Sequence, residues 1–159
     1  MSSKVVIQQH DFDVAQIYDT MRNQAGSDAG AIVTFVGLVR DRNAIAGDGS
    51  TVSTLTLEHY PGMTEKMLKK IEGEAISRWN LLDTLIIHRY GELFPGNNIV
   101  LVITLSKHRK DAINACHFLI DWLKTKGPFW KYEKTKNSGH WVEALESDNL
   151  EERPTFDFG

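Results

Sequence analysis

Two spacings of apolar residues alternate along the chain, and each predicts a different element. Lys4 to Gln9 alternates weakly, as a short strand does, and Val14, Ile17, Tyr18 and Met21 recur at helical spacing across Asp13 to Asn23, with Asp11 or Asp13 as the cap. After a loop at Gly26-Ser27-Asp28, Gly30 to Arg40 is an almost unbroken β-branched run, which predicts a central strand covered on both faces. Thr51 to Tyr60 places Leu55, Leu57 and His59 on one side of a second strand, and the short polar link predicts that these two strands pair antiparallel. Pro61-Gly62 turns the chain into a helix capped by Thr64 and running to Trp79, with Met67, Leu68, Ile71, Ala75 and Ile76 as its buried stripe. Leu82 to Tyr90 and Asn98 to Ser106 are strands joined by a turn in GELFPGNN. Lys107 to Lys126 is a second long helix with Ala112, Ile113, Cys116, Leu119, Ile120 and Leu123 inward, and Phe129 to Lys134 with His140 to Glu146 is a closing hairpin.

The order is β-α-β-β-α-β-β-α-β-β. It lacks repeated βαβ crossovers and a Rossmann glycine fingerprint, so the expected class is an α+β sandwich with a largely antiparallel sheet. At 159 residues one domain is expected, with a core at about 30–148 and a loosely held acidic tail from Ser147. The loop from Ala44 to Ser50 is expected to be mobile.

Composition narrows the function. A hydrophobic fraction of 42% with 25% charged residues is that of a soluble globular protein, and no apolar run approaches the ~20 residues of a membrane span. The N-terminus lacks a signal-peptide core, so a cytoplasmic location is the expectation. The one cysteine, Cys116, excludes an intrachain disulfide and a Cys-rich zinc site, and its place on the inward helical stripe reads as core. No metal is proposed, because no His-x-x-x-His or acid-flanked histidine pair stands out.

The net charge of −3 hides an asymmetry: between Leu105 and His140 eight Lys/Arg face three Asp/Glu, so that third of the chain is +5 and the remainder −8. A local basic zone on an acidic protein points to a confined anionic ligand rather than a long polyanion. Within it, DWLKTKGPFWKYE carries a helix end, a break at Gly127-Pro128 and an extended aromatic segment. Proline cannot continue a helix and pushes the preceding residue out of the α region, so the backbone turns. Lys124 and Lys131, on either side of the break, can then face one pocket walled by Phe129 and Trp130, where lost solvation would lower a lysine's pKa. Two surface lysines flanking an ordinary helix stop are the alternative. Ser106 to Lys110 crowds basic groups at a helix start with Ser106 as the N-cap, which makes either a phosphate site or a solvated helix end. Arg40, closing a strand, is a bidentate donor for a phosphate or carboxylate, or a surface arginine.

With these residues laid out, the chain resembles the large, catalytic subunit of molybdopterin synthase. The resemblance rests on GAIVTFVGLVRDRN, LTLEHYPGMTEKML, IIHRYGELFPGNNIVLV, HRKDAI, FLIDWLKTKGPFWKYE and WVEALESD, which cover nearly all of residues 30 to 148. It implies an α/β-hammerhead fold and a sulfurtransferase that converts cyclic pyranopterin monophosphate into molybdopterin, in molybdenum cofactor biosynthesis. The sulfur would arrive as a thiocarboxylate on the C-terminal Gly-Gly of a small, ubiquitin-like carrier subunit. The assembly implied is a homodimer of catalytic subunits with one small subunit at each end, a heterotetramer, with no cofactor or metal of its own, no nucleic acid and no membrane. Matched by motif, Lys124 and Lys131 are the catalytic pair, and Leu38, Val39, Arg40, His108, Arg109, Tyr132 and Glu133 join them in binding substrate. Members often carry lysine where this chain has Leu38, so that contact is absent or passes to backbone, and the loop after Arg42 is longer here. A module that only binds a phosphorylated ligand or RNA, and a scaffold that only recruits a ubiquitin-like protein, are the rival classes.

Overall fold

A computed structural model describes residues 4–40, 52–135 and 139–142. The expectations for the loop 44–50, the strand end beyond Val142 and the tail lie outside them. Helices are α1 (Val14–Ala25), α2 (Met63–Arg78) and α3 (Arg109–Lys126). Strands are β1 (Val5–Gln8), β2 (Ala31–Leu38), β3 (Val52–His59), β4 (Leu81–Arg89), β5 (Gly91–Leu93), β6 (Asn98–Ser106), β7 (Phe129–Thr135) and β8 (Gly139–Val142). The class is α+β, as expected, but the strands form two four-stranded sheets, ordered β1-β4-β6-β2 and β5-β3-β7-β8. Only β1 and β4 pair in parallel among the described strands; the rest is antiparallel.

The first sheet is covered on both faces because its strands are apolar on both. Ile86 and Val102 face Leu68, Ile71 and Ala75 of α2 and Ala115, Cys116 and Leu119 of α3. Ile87, Leu101, Ile103 and Leu105 face the other way, onto Phe12 and Met21. The second sheet adds a smaller core, Val39, Leu55, Leu57 and Leu93, with Tyr90, Ile99 and Phe129 against it.

Three expectations change. β2 is an edge strand rather than a central one, and it does not pair with β3: it runs beside β6 from Ala31↔Ser106 to Leu38↔Asn98, while β3 joins β5 and β7 in the other sheet. An apolar run reports that both faces are covered, not how many neighbours the strand has in its ladder. Val33 and Phe35 meet the α2/α3 core and Ile32 and Val36 meet the α1 core, so an edge strand carries the sequence of a central one. β5 lies where a plain turn was expected; its Leu93 is fully buried opposite Leu55.

The caps also shift. Thr64 does not cap α2. Gly62 does, at φ +84°, with Glu65 Oε2 accepting its N–H at 2.6 Å. Thr64 is buried inside the first turn and donates its hydroxyl to the Tyr60 carbonyl at 2.8 Å. Ser106 belongs to β6, and His108 holds the N-cap position of α3, its N–H donated to Ser106 Oγ at 3.3 Å. Asp13 caps α1, accepting from the Gln16 N–H at 3.0 Å.

Candidate functional site

The break after α3 is built by close approach. The helix ends at Lys126, and Gly127 leaves it with ψ 132°. A Cβ at Gly127 would run into the Leu123 carbonyl oxygen, so the backbone passes only because this residue has none. Phe129 N–H then bonds the Gly127 carbonyl at 2.8 Å, and β7 departs antiparallel to β3. Strand alternation divides the side chains of β7 between two faces. Phe129, Lys131 and Glu133 stand opposite His59, Leu57 and Leu55 and point to one face; Trp130, Tyr132 and Lys134 point to the other.

The first face meets the end of β2. The β2–β6 ladder shifts register between Gly37 and Leu38, a bulge that re-aims the residues after it. Val39 is buried and tied at both backbone groups, its N–H to Asn97 O at 2.9 Å and its carbonyl to Gly96 N–H at 2.7 Å. Leu38 and Arg40 on either side are exposed. Between this rim, the end of α3 and β7 lies a cavity of about 510 Å³. Leu38, Val39, Arg40, Lys124, Lys131 and Glu133 all line it, with Phe35, Phe129 and His88 among the apolar and aromatic wall. Lys124 is exposed at the mouth, Lys131 is half-buried, and Glu133 is buried. Three donor-only cations therefore surround one pocket, an arrangement suited to an anion held bidentately by Arg40 and by the two amines.

Four of the residues singled out from the sequence are elsewhere. Tyr132 points to the opposite face of β7, its ring edge-on to Trp141 at 5.2 Å. Trp130, expected as a pocket wall, is on that face too, edge-on to Tyr60 at 5.8 Å. His108 and Arg109 sit at the start of α3, exposed, and fifteen residues of helix separate Arg109 from Lys124. At 1.5 Å per residue that is roughly 22 Å, too far for one small ligand in one chain.

His88 was missed as a pocket residue. It lies on β4 with its ring stacked on Phe129, centroids 3.6 Å apart and planes at 13°. Nδ1 is 2.8 Å from the Arg89 carbonyl and must donate to it, since a carbonyl only accepts. Burial, opposed by that hydrogen bond and aided by the charge of Lys131 and by His59, lowers its pKa to about 4, so the ring is neutral at pH 7. The available signal was a histidine directly after the apolar Leu85-Ile86-Ile87 of LLDTLIIHR. Cys116 is core, as expected: burial pushes its thiol up to about 12, despite a hydrogen bond with Thr104. Among the described residues no three His, Cys, Asp or Glu side chains are grouped to hold a metal, and no described helix is long and apolar enough to cross a membrane.

Comparison with known proteins agrees with this architecture. Residues 7–126 match the family model described as MoaE protein. The chain is 48% identical over 149 residues to the molybdopterin synthase catalytic subunit of Vibrio cholerae serotype O1, covering 94% of this chain and 95% of that one. Among solved structures it is similar to the molybdopterin cofactor biosynthesis protein E from Burkholderia multivorans, with TM-score 0.76 and 42% identity over 95% and 94% of the two chains. A chain in the complex of subunits 1 and 2 of molybdopterin-converting factor from Helicobacter pylori shares the fold, with TM-score 0.72 at 22% identity over 92% and 97%.

Proposed function

This chain belongs to the MoaE protein family, and on that premise we propose that it is the catalytic subunit of a molybdopterin synthase, moving sulfur from the thiocarboxylated Gly-Gly end of a small ubiquitin-like carrier onto cyclic pyranopterin monophosphate. The observation that carries the reading is the convergence of Arg40, Lys124 and Lys131 on one cavity. Both reactants are anions, one a cyclic phosphate and one a thiocarboxylate, and both are drawn to such a site.

The chemistry asked of the chain is positioning and proton handling. The thiocarboxylate sulfur forms a bond to an electrophilic carbon of the substrate as a carbon–oxygen bond at that carbon breaks, the oxygen leaving as water or staying with the opened cyclic phosphate, and this gives a thioester between carrier and pterin. Water then breaks the acyl–sulfur bond, the carrier leaves as a carboxylate, and the sulfur stays on the pterin. A second thiocarboxylate repeats the sequence to complete the dithiolene. Lys124, at the mouth, meets the carrier's tail; Lys131, deeper, holds the substrate and passes protons as each carboxylate leaves. The small subunit is the proposed partner, and a protein of this fold occurs together with a second subunit in the Helicobacter pylori complex.

A homodimer is part of the proposal. His108 and Arg109 are too far along α3 to reach the pocket of their own chain, so their role in binding substrate requires a second copy.

The test is reconstitution. The purified chain, thiocarboxylated carrier and cyclic pyranopterin monophosphate should yield the dithiolene product. The charge-preserving double change Lys124→Arg and Lys131→Arg should remain folded and lose product formation, because guanidinium groups do not give up protons near neutral pH. Turnover in that double variant would overturn the lysine roles. Carrier binding without any dithiolene from the unaltered chain would replace the enzyme by a recruiting scaffold.

A further inference from the structure

We propose that the outward face of the second sheet is the seat of a second copy of this chain, with Tyr60, Trp130, Tyr132 and Trp141 at its centre. The proposal deepens the homodimer of the reading above and rests on it.

The face is set by strand parity. Lys131 and Glu133 point into the cavity, so Trp130, Tyr132 and Lys134 of β7 point away from it, opposite Glu58, Thr56 and Thr54 of β3. Trp141 of β8 stands opposite Tyr132, and Glu92 of β5 opposite Thr56, so one row runs Glu92, Thr56, Tyr132, Trp141 across all four strands. Tyr60, just past β3, is edge-on to Trp130 at 5.8 Å, and Trp141 is edge-on to Tyr132 at 5.2 Å. A Cβ at Gly139 would run into the Tyr132 hydroxyl, so that ring lies across a gap that only glycine leaves. The rings are thereby held in place before anything binds.

They stand in solvent. Tyr60 is 63% exposed, Trp141 55% and Trp130 45%. At roughly 200 Å² for each fully buried ring, these three alone offer about 300 Å² of apolar surface. A soluble chain seldom leaves that much in one patch unless something covers it. Rings at the centre with charge at the margin are the composition of a protein interface.

The pocket and the charges choose the occupant. The carrier's Gly-Gly end spans about 7 Å when extended, less than the ~10 Å between packed layers, and the cavity it must enter lies on the other face of β7. A carrier seated here could not deliver its sulfur. A second copy is wanted on separate grounds, because His108 and Arg109 cannot reach the cavity of their own chain. Exposed Glu58 and Glu92 edge the aromatic face, while Lys107, His108, Arg109 and Lys110 are exposed together at the start of α3. A two-fold pair can set each acidic margin against the other copy's basic helix start, with the rings of both closing around the axis. Tyr132, singled out for substrate, then touches the second copy instead.

The test is the mass of the assembly. The full chain, purified alone, should sediment at twice its 18.0 kDa mass. Trp130→Thr with Trp141→Thr keeps strand-forming residues and should sediment at the mass of one chain, with an unchanged circular-dichroism spectrum. Phe94→Thr, which removes an exposed ring outside this face, should leave the pair intact. A folded double variant that still pairs would overturn the proposal, as would an unaltered chain of single mass or a Phe94→Thr chain that no longer pairs. Should the double variant not fold, hydroxyl-radical footprinting of the unaltered chain decides. Tyr60, Trp130 and Trp141 are protected relative to Phe94 if a second copy covers them, and are labelled alongside it if none does. Protection that appears only when carrier is added gives the face to the carrier and also overturns the proposal. An unaltered chain that pairs through this face yet makes no dithiolene would sink the sulfur-transfer reading and leave the interface standing.

Discussion

His88 on β4 and Phe129 on β7 lie ring over ring, 3.6 Å between centroids, and the two strands belong to different sheets. Phe129 is also the first residue beyond the Gly127-Pro128 break, so the contact that joins the sheets sets the course of β7 and the place of Lys131. Tyr90 and Ile99 pack beside Phe129 in the small core under the second sheet. The pocket is in this sense a seam: α3 and β2 supply its outer rim, and the junction of the sheets supplies its floor.

Gly127→Ala should damage this seam. The added Cβ meets the Leu123 carbonyl, a backbone atom that cannot step aside without unwinding the last turn of α3. Since φ here is −59°, the cost is steric rather than conformational, and a loss of about 2 kcal/mol is expected, in the range of overpacked sites. Urea unfolding measures it. Because Lys124 rides on that turn, dithiolene formation should fall further than stability alone explains. An Ala variant of unchanged midpoint and activity would refute this account.

Acid should destabilise the protein through His88. Its folded pKa of about 4 lies below the ordinary 6.5, so between those values the unfolded chain binds the proton that the folded ring refuses. Stability contributed by the neutral ring is complete above pH 6.5 and declines as pH falls toward 4. By pH 4.5 the loss is about 2–3 kcal/mol. His88→Phe, which keeps the stack and cannot titrate, should remove that part of the pH dependence. Denaturant midpoints at pH 7 and pH 4.5 for both proteins make the comparison, and parallel acid losses would disprove it.

Cys116 should be inert in the folded protein. Its thiol is buried beneath α3, and its pKa is pushed up to about 12, so almost no thiolate exists at neutral pH. Alkylation by iodoacetamide should be undetectable in buffer and rapid in urea. Rapid labelling of native protein would reopen a role for this cysteine in carrying sulfur.

Two defective chains should complement each other. A copy with Lys124→Ala and Lys131→Ala keeps His108 and Arg109, and a copy with His108→Ala and Arg109→Ala keeps both lysines. If each pocket of a homodimer draws on both copies, mixing the inactive chains restores up to about a quarter of the unaltered activity, from the one sound pocket that a mixed dimer contains. No recovery after confirmed subunit exchange would remove His108 and Arg109 from the site.

Much of this molecule was legible from spacing alone. The stripes Leu68-Ile71-Ala75 and Ala112-Cys116-Leu119 predict α2 and α3, and the apolar runs of β4 and β6 predict buried strands, because helix and strand periods come from local backbone geometry. The turn after α3 was equally plain, since Pro128 and Gly127 act on their immediate neighbours. The resemblance of several blocks to one family marked Arg40, Lys124 and Lys131, and these three line one pocket.

What the linear order left undecided is everything that depends on a distant partner. The β2 run gave no sign that β6 rather than β3 would be its neighbour, because ladder choice is settled by which faces can be covered at once. Nothing in Tyr132 or Trp130 said which side of β7 faced the cavity; the pairing of Leu55 and Leu57 with Glu133 and Lys131 fixed that parity. His88 could not be seen as a pocket residue until Phe129, forty-one positions later, was stacked on it. Local chemistry determined the elements and the bend between the two lysines. Only packing between sheets decided which side chains share the space that bend encloses, since a side chain's surroundings come from burial against residues far away in the chain.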